Sequence, residues 1–377
     1  MSRAVDITII GAGVVGLAVA AQIADGRREV YILEKNDSFG QETSSRNSQV
    51  IHSGIFYPEG SLKAKTCVAG NASLYSLCQK HGIGCQRMGK LVVAVDNSEA
   101  EQLEALLQRG RGNNVEGLRL LAQKEIAEME PNLKAVAALL VPSTGVIDAY
   151  GLMGYFLAMA RESGARAAYR SKAVEIERLG SEYQVTVEDA SGCFSFATRV
   201  IVNSAGLNCD QVAEMAGIDI VGAGYKLYYC KGEYFAVRGS KNKLVKRLIY
   251  PTPPSQGAGT GIHITLSLDG MMLLGPSSQY VDEIDYSVDS RHKQVFYDSV
   301  VKYLPCIQLD ALEPEMAGVR PTLQGPEAGF TDFVIRDESD KGLPGFVNLI
   351  GIESPGLTSA PAIARYVAQI VDEALGA

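Results

Sequence analysis

The alternation of apolar and polar positions opens with a short β-branched run, Ile7 to Ile10, that breaks into Gly11-Ala12-Gly13-Val14-Val15-Gly16 and resumes with a helix-period stretch, Leu17 to Ala24. A second run, Glu29 to Leu33, reads as a strand and ends on Glu34. Strand, glycine turn, helix and strand make a βαβ unit. The middle of the chain alternates: Gly89 to Val95 reads as a strand, Gln102 to Leu107 and Lys124 to Met129 as helical. Tyr150 to Ser163 reads as a helix with Leu152, Phe156, Leu157 and Ala160 on one side. Strands follow at Ala173 to Arg178, Tyr183 to Glu188 and Arg199 to Asn203, the last running into Ser204-Ala205-Gly206. Strands rejoining a nucleotide-binding sheet this late predict a discontinuous domain. From Tyr225 to Gly275 the pattern turns β-rich, cut by Pro251, Pro253, Pro254 and a Gly257 to Gly261 stretch. Strands are expected at Gly232 to Val237, Gly261 to Ser267 and Met271 to Leu274. The end returns to α/β, with a strand at Phe346 to Ile350 and a helix from Thr358 to Ala374.

The pattern predicts an α/β fold, α+β overall. A Rossmann-like nucleotide-binding domain is built from residues 1–85, 145–215 and 315–377, and a mostly antiparallel substrate domain from 86–144 and 216–314 is interleaved with it. At 377 residues the chain exceeds what one hydrophobic core usually fills. Charge narrows the partners: 35 Lys+Arg against 43 Asp+Glu give −8, which speaks against nucleic acid. The one basic cluster, Lys241, Lys243, Lys246 and Arg247, reads as a solvated loop face. The seven cysteines, Cys67, Cys78, Cys85, Cys193, Cys209, Cys230 and Cys306, are odd in number and show no Cys-x-x-Cys or Cys/His zinc spacing. A reducing cytoplasm and no metal are expected. The apolar Ile7 to Ile23 imitates a secretory leader, with Ala18, Ala20 and Ala21 at its end, but Asp6, the glycines and Glu34 belong to one folded unit. No membrane span is expected; peripheral contact with the inner face of a membrane is the alternative location.

The glycines have separable tasks. Gly11 permits the tight turn, Gly13 lets the backbone approach a pyrophosphate, and Gly16 lets helix pack on strand; the helix N-terminus at Val14 and Val15 then meets the phosphate charge. Glu34, 18 residues after Gly16, is placed to accept hydrogen bonds from both hydroxyls of an adenosine ribose, which disfavours a 2′-phosphate. This unit alone leaves NAD and FAD both open.

Longer blocks narrow the choice. They are GAGVVGLAVA, NSQVIHSGIFYPEGSLKAKTCVAG (Asn47 to Gly70), MGKLVVAV (Met88 to Val95), VPSTGVID (Val141 to Asp148), NSAGL (Asn203 to Leu207), KGEYF (Lys231 to Phe235), IYP with GIHITLSLDG and LLGP, and AGVRPTL (Ala317 to Leu323). Over nearly its whole length the chain resembles the D-amino-acid-oxidase-like flavoproteins, most closely the L-2-hydroxyglutarate dehydrogenases and oxidases. Flavin-type glycerol-3-phosphate dehydrogenases share a similar histidine segment and Gly-x-Arg-Pro. The resemblance implies FAD, with Gly11, Ala12, Gly13, Val14, Val15 and Gly16 at the pyrophosphate, Glu34 and Lys35 at the ribose, and Val174 by the adenine. It implies Thr43, Ser44, Ser45 and Arg46 at the phosphates or ribityl chain, Ser204, Ala205 and Gly206 near the pyrophosphate, and His52, Gly318, Pro355, Gly356, Leu357 and Thr358 toward the flavin. NSAGL departs from the commoner Ala-Thr-Gly form, and GIESPGLTSAPAIA matches only loosely. There a glycine turn entering a helix N-terminus would stabilise charge on a reduced flavin, or Thr358 or Ser359 would simply cap the helix.

Oxidising a 2-hydroxy acid calls for a base for the hydroxyl proton and an Arg for the carboxylate. Of four histidines, His52 in the HSGIFY block is the first candidate base and His263, expected mid-strand, the second; His81 reads as a helix end and His292 as part of a charged helix. Arg320 in Gly318-Val319-Arg320-Pro321 is the expected carboxylate clamp. Tyr57 and Tyr250 are candidate hydroxyl donors, and Lys65 or Lys231 a second positive charge. The expectation is an FAD-dependent oxidoreductase for a small carboxylate such as L-2-hydroxyglutarate, reoxidised by oxygen, a quinone or an electron-transfer protein. Glycine or sarcosine oxidation, glycerol 3-phosphate oxidation and a non-enzymatic flavoprotein are the alternatives.

Overall fold

A computed structural model describes residues 4–239, 243–253, 261–323, 325–326 and 329–376; Lys241 of the basic cluster, Pro254 and Gly257 to Thr260 lie outside the described residues. The chain divides into two compact units, one of residues 1–45, 149–228 and 321–377, the other of 46–148 and 229–320.

In the first unit the βαβ reading becomes Val5–Ile10, the helix Val14–Ile23 and Val30–Leu33, joined in parallel. Val5–Ile10 is wholly buried, as a central parallel strand covered on both faces must be. The long strand Gly192–Asn203 lies beside it in parallel. Its first half pairs antiparallel with Glu182–Asp189, and its last residues pair in parallel with Leu343–Ile350. This eight-stranded sheet is covered by helices, among them Val14–Ile23, Ala149–Glu162 and Gly356–Leu375, which pack together. At its centre Asn203 Nδ2 donates to Asn348 Oδ1 at 2.8 Å, and Asn348 Nδ2 donates to the wholly buried Glu338 at 2.9 Å.

The second unit holds a nine-stranded sheet in which most pairs are antiparallel and Leu248–Pro251 runs parallel to Lys90–Ala94. It also holds a three-stranded sheet in which Val50–Ile51 and Cys85–Gln86 flank Gly145–Ile147. One core packs Leu91, Phe235, Ile264, Phe296 and Tyr303; another packs Val50, Ile55, Val92, Leu139 and Tyr250. Residues 46–85, which the sequence assigned to the nucleotide-binding part, therefore belong with the second unit, as do 145–148 and 315–320; residues 216–228 join the first. The reason is packing: Val50, Ile55 and Val146 share one core, whereas Ile218, Tyr225 and Leu227 pack with Val185 and Phe346.

The helix Leu62–His81 was visible in sequence only through its end at His81. Ser61 caps it by accepting from Ala64 N at 3.1 Å, and Gly82 ends it at φ 68°, a left-handed conformation suited to glycine. His263 is not mid-strand but immediately precedes the short strand Ile264–Leu266. Likewise His292 closes a 3₁₀ turn, Ser290–His292, ahead of the helix Lys293–Val300. Within the basic cluster Arg247 is held by the buried Glu130 at 3.1 Å, so that end of it is anchored.

Candidate active site

In the first unit the glycine turn is shaped by contacts that leave no room for side chains. A Cβ on Gly16 would lie 2.1 Å from the Gly11 carbonyl oxygen, and one on Gly11, whose φ is 104°, would lie 2.5 Å from the Ser204 carbonyl oxygen. The Ser204 hydroxyl donates to the Ile10 carbonyl at 2.9 Å, so NSAGL supports the turn from the neighbouring strand. Gly13, the N-cap of the helix, has no side-chain cap of its own, and Ser44 Oγ accepts from Val14 N at 3.0 Å. Glu34 is buried, and its carboxylate accepts from Ala12 N, Asn36 N and Asn36 Nδ2, each at 2.9 Å. It therefore braces the turn as well as presenting oxygens at the strand end.

Ser171 N donates to the Glu34 carbonyl at 2.8 Å, and the half-buried Val174 lies at a bulge in the strand that follows. Lys35 is tied to Glu42 at 2.9 Å and to Asn208. Pro355 is the N-cap of Gly356–Leu375 without a side-chain cap bond, so the helix starts two residues earlier than Thr358 and neither Thr358 nor Ser359 is its cap. A glycine cradle that a Cβ would fill, a helix start whose N-cap is glycine and a buried acid at the second strand's end fit the adenosine diphosphate part of FAD.

The second unit gathers His52, Tyr250, His263 and Arg320. The Tyr250 and His263 rings stack, with centroids 3.7 Å apart and planes at 20°. His263 is buried, and its Nδ1 lies 2.9 Å from the Gly261 carbonyl oxygen. A carbonyl only accepts, so Nδ1 carries the hydrogen and the neutral ring keeps its lone pair on Nε2. Burial pushes His263 down to about 3, with the positive charges of Lys90 and Arg320 adding to it against a smaller opposing effect of the Gly261 bond. His52 is likewise lowered to about 3, first by burial and then by Lys90 and His263. Both imidazoles are neutral at physiological pH.

Arg320 Nη2 donates to Cys230 Sγ at 2.9 Å and to Ser278 Oγ at 3.1 Å, two neutral acceptors that orient the guanidinium. Gly318 explains its own place in the motif. A Cβ there would sit 2.0 Å from the Arg46 carbonyl oxygen, so only glycine lets this strand lie on the Arg46 backbone. Arg46, grouped by sequence with Thr43, Ser44 and Ser45, falls in the second unit, where its guanidinium lies over the Tyr286 ring at 4.2 Å.

The other expected residues have the following surroundings. Lys65 is on the exposed face of its helix. The Tyr57 carbonyl accepts from Asn113 Nδ2 at 2.9 Å, and its side chain is partly exposed. Lys231, the expected second positive charge, is paired with Asp285 and lies 3.7 Å from the buried Glu233. His292 joins the same network, with Nδ1 2.6 Å from Glu233 Oε2. Sequence reasoning missed Lys90, Phe56, Cys230 and Ser278. Only Lys90 left a signal, a lone charge in the apolar run MGKLVVAV. Among the described residues no group of three or more His, Cys, Asp or Glu is arranged to hold a metal ion.

The nucleotide cradle and the neutral histidines beside a guanidinium define a class, and the comparisons agree with it. The family model for FAD-dependent oxidoreductases of the D-amino-acid-oxidase type matches residues 6–370, and the chain belongs to that family. It is an FAD-dependent oxidoreductase, and FAD is its cofactor. More particularly, it is 37% identical to the mitochondrial L-2-hydroxyglutarate dehydrogenase of Arabidopsis thaliana, over 97% of this chain and 83% of that one. It is 31% identical to the mitochondrial human protein of the same name, over 98% and 89%. Dithionite-reduced L-alpha-glycerophosphate oxidase from Mycoplasma pneumoniae, with FAD bound, superposes with a TM-score of 0.86 at 27% identity, covering 98% of this chain and 95% of that one. Such an enzyme needs a small substrate and an electron acceptor. No helix among the described residues is long and apolar enough to cross a membrane.

Proposed function

We propose that this enzyme oxidises a small 2-hydroxy acid, L-2-hydroxyglutarate or a close relative, to the 2-oxo acid. The observation that carries the reading is His263: a buried neutral imidazole whose tautomer is fixed by Gly261, with the Arg320 charge facing it. Bound FAD would supply the two-electron acceptor for the hydride. Arg320 holds the substrate carboxylate through its planar fork. An imidazole, His263 through Nε2 or His52, takes the hydroxyl proton as the C–O bond becomes C=O and the α-hydrogen leaves with its electron pair. The names and identities of the relatives support a hydroxyglutarate-type substrate.

Gly11 to Gly16, Glu34, Ser44 and Ser204 hold the nucleotide end of FAD in this reading, with Val174 at the adenine. The Pro355 to Thr358 turn serves the flavin. Oxygen, a quinone or an electron-transfer protein reoxidises it, and a reducing cytoplasm is the compartment that seven free cysteines favour. The likeness to the L-alpha-glycerophosphate oxidase supports a second reading, glycerol 3-phosphate as substrate. Anaerobic mixing of the yellow holoenzyme with L-2-hydroxyglutarate, other 2-hydroxy acids, glycine, sarcosine and glycerol 3-phosphate separates them. Bleaching of the flavin band fastest by a 2-hydroxy acid is expected; bleaching by glycerol 3-phosphate or an amine alone overturns the proposal.

A further inference from the structure

Lys90 is a lysine in an unusual place. It sits at the start of the strand Lys90–Ala94, on the same face as Val92 and Ala94, with no exposed surface. Its Nζ has no hydrogen-bond partner among the described residues, and no carboxylate is paired with it. Instead the nitrogen lies 4.4 Å from the centre of the Phe56 ring and 4.5 Å from that of Tyr250. Those two rings are nearly parallel, at 16° with centroids 6.2 Å apart, and the Tyr250 ring stacks in turn on His263. The titratable and charged groups around this patch are Tyr250 from the neighbouring strand Leu248–Pro251, His263 from the residue before Ile264–Leu266, Arg320, which acts on His263, His52 from the loop before the helix Leu62–His81, and Cys67 from that helix.

We propose that Lys90 is a positioning residue for His52 and His263: clasped by the Phe56 and Tyr250 rings, its amine takes the proton that would otherwise settle on an imidazole, and it holds the Tyr250 ring flat against His263. This deepens the function proposed above and rests on it for the identity of the imidazoles as bases. Three basic side chains in one desolvated patch cannot all be charged, because like charges at short range in a weakly screening medium repel strongly. An amine is intrinsically the stronger base than an imidazole, so the first proton goes to Lys90. Two aromatic faces give the ammonium the favourable electrostatics that an anion would otherwise provide, without placing a negative charge that would draw a proton onto the histidines. A carboxylate in the same place would do the opposite. Lys90 lowered by burial to about 7 and both histidines to about 3 keep that order. The imidazoles thus remain proton acceptors well below neutrality.

The test is a titration of histidine-labelled holoenzyme by NMR between about pH 4 and pH 8, alongside the pH dependence of anaerobic flavin reduction, with H52N and H263N used to assign the two signals. In the wild type both rings should stay neutral across the range. In K90M at least one should titrate within it, its midpoint raised by about one unit or more, and the acidic limb of flavin reduction should move up with it. Ordinary histidine titration in the wild type overturns the proposal, whether or not K90M folds; unchanged midpoints in a folded K90M also overturn it. The histidine signals need no substrate. A failure of every 2-hydroxy acid to bleach the flavin would therefore remove the proposed function while the NMR titration still decides the role of Lys90.

Discussion

Arg320 illustrates how neutral neighbours orient a charged side chain. Its Nη2 donates to a thiol and a hydroxyl, two neutral acceptors that fix the plane of the guanidinium. Arg320→Ala should lower kcat/KM for the best acid by about 2–5 kcal/mol while FAD stays bound, and Arg320→Lys should also impair it because the fork is lost. Steady-state kinetics with the flavin content measured in parallel checks this; near-normal kcat/KM in Arg320→Ala, or loss of FAD, removes the clamp. For the base, replacing the operative histidine with Ala should slow flavin reduction by roughly 10² to 10⁴. Stopped-flow bleaching of His52→Ala and His263→Ala identifies it, and unchanged rates in both remove histidine from the mechanism. Sequence nominated both histidines and Arg320. It did not yield the tautomer of His263, which depends on where the Gly261 carbonyl falls once the loop is folded. Nor did it show that Lys231 pairs with Asp285, some 54 positions away.

At the scale of elements, the strand–turn–helix–strand unit was legible because every part of it is local. A β-branched run, three glycines and an acid at the second strand's end each have one physical use in that order. What the turn needs from elsewhere was hidden: Ser204 supports it from a strand 194 residues away in sequence, and Ser44 meets the first helical amide from a loop. Glu34 proves to brace the turn through Ala12 N. Glu34→Ala should therefore weaken FAD binding by about 1.5–3 kcal/mol, the worth of a hydrogen bond to a charged group, with little change in preference among substrates. A cofactor titration of the apoprotein by fluorescence, with the substrate panel repeated on the reconstituted variant, measures both. A shift in substrate preference without weaker binding would contradict the assignment. Pairing among the shorter strands was less legible, since Ile264–Leu266 and Met272–Leu274 are three residues each and gain their conformation from neighbours rather than from their own pattern.

On the scale of the whole molecule, desolvating basic groups ties stability to pH. His52 and His263 bind a proton near 6.5 when unfolded and near 3 when folded, so across that window the unfolded chain holds more protons. Their stabilising contribution is complete above 6.5 and is lost as pH falls, by up to about 1.4 kcal/mol per pH unit for each ring. Lys90 acts with the same sign between 10.5 and about 7. Urea midpoints measured with saturating FAD should thus fall as pH is lowered from 9 to 5, and H52Q/H263N should flatten the part below about 6.5; a flat wild-type profile would refute the buried neutral state. The sequence by itself determined the nucleotide-binding unit, the mixed α/β class and the identity of the main polar residues, because these follow from local periodicity, turn stereochemistry and side-chain type; the flavin came from the family resemblance of its longer blocks. Only the tertiary structure decided that residues 46–85 join the second unit, that Lys231 pairs with Asp285 and His292 with Glu233, and that Lys90 lies between two rings beside the histidines. Those outcomes depend on which cores close over which side chains, and so on burial and distance between residues far apart in the chain, which the order of residues along it does not display.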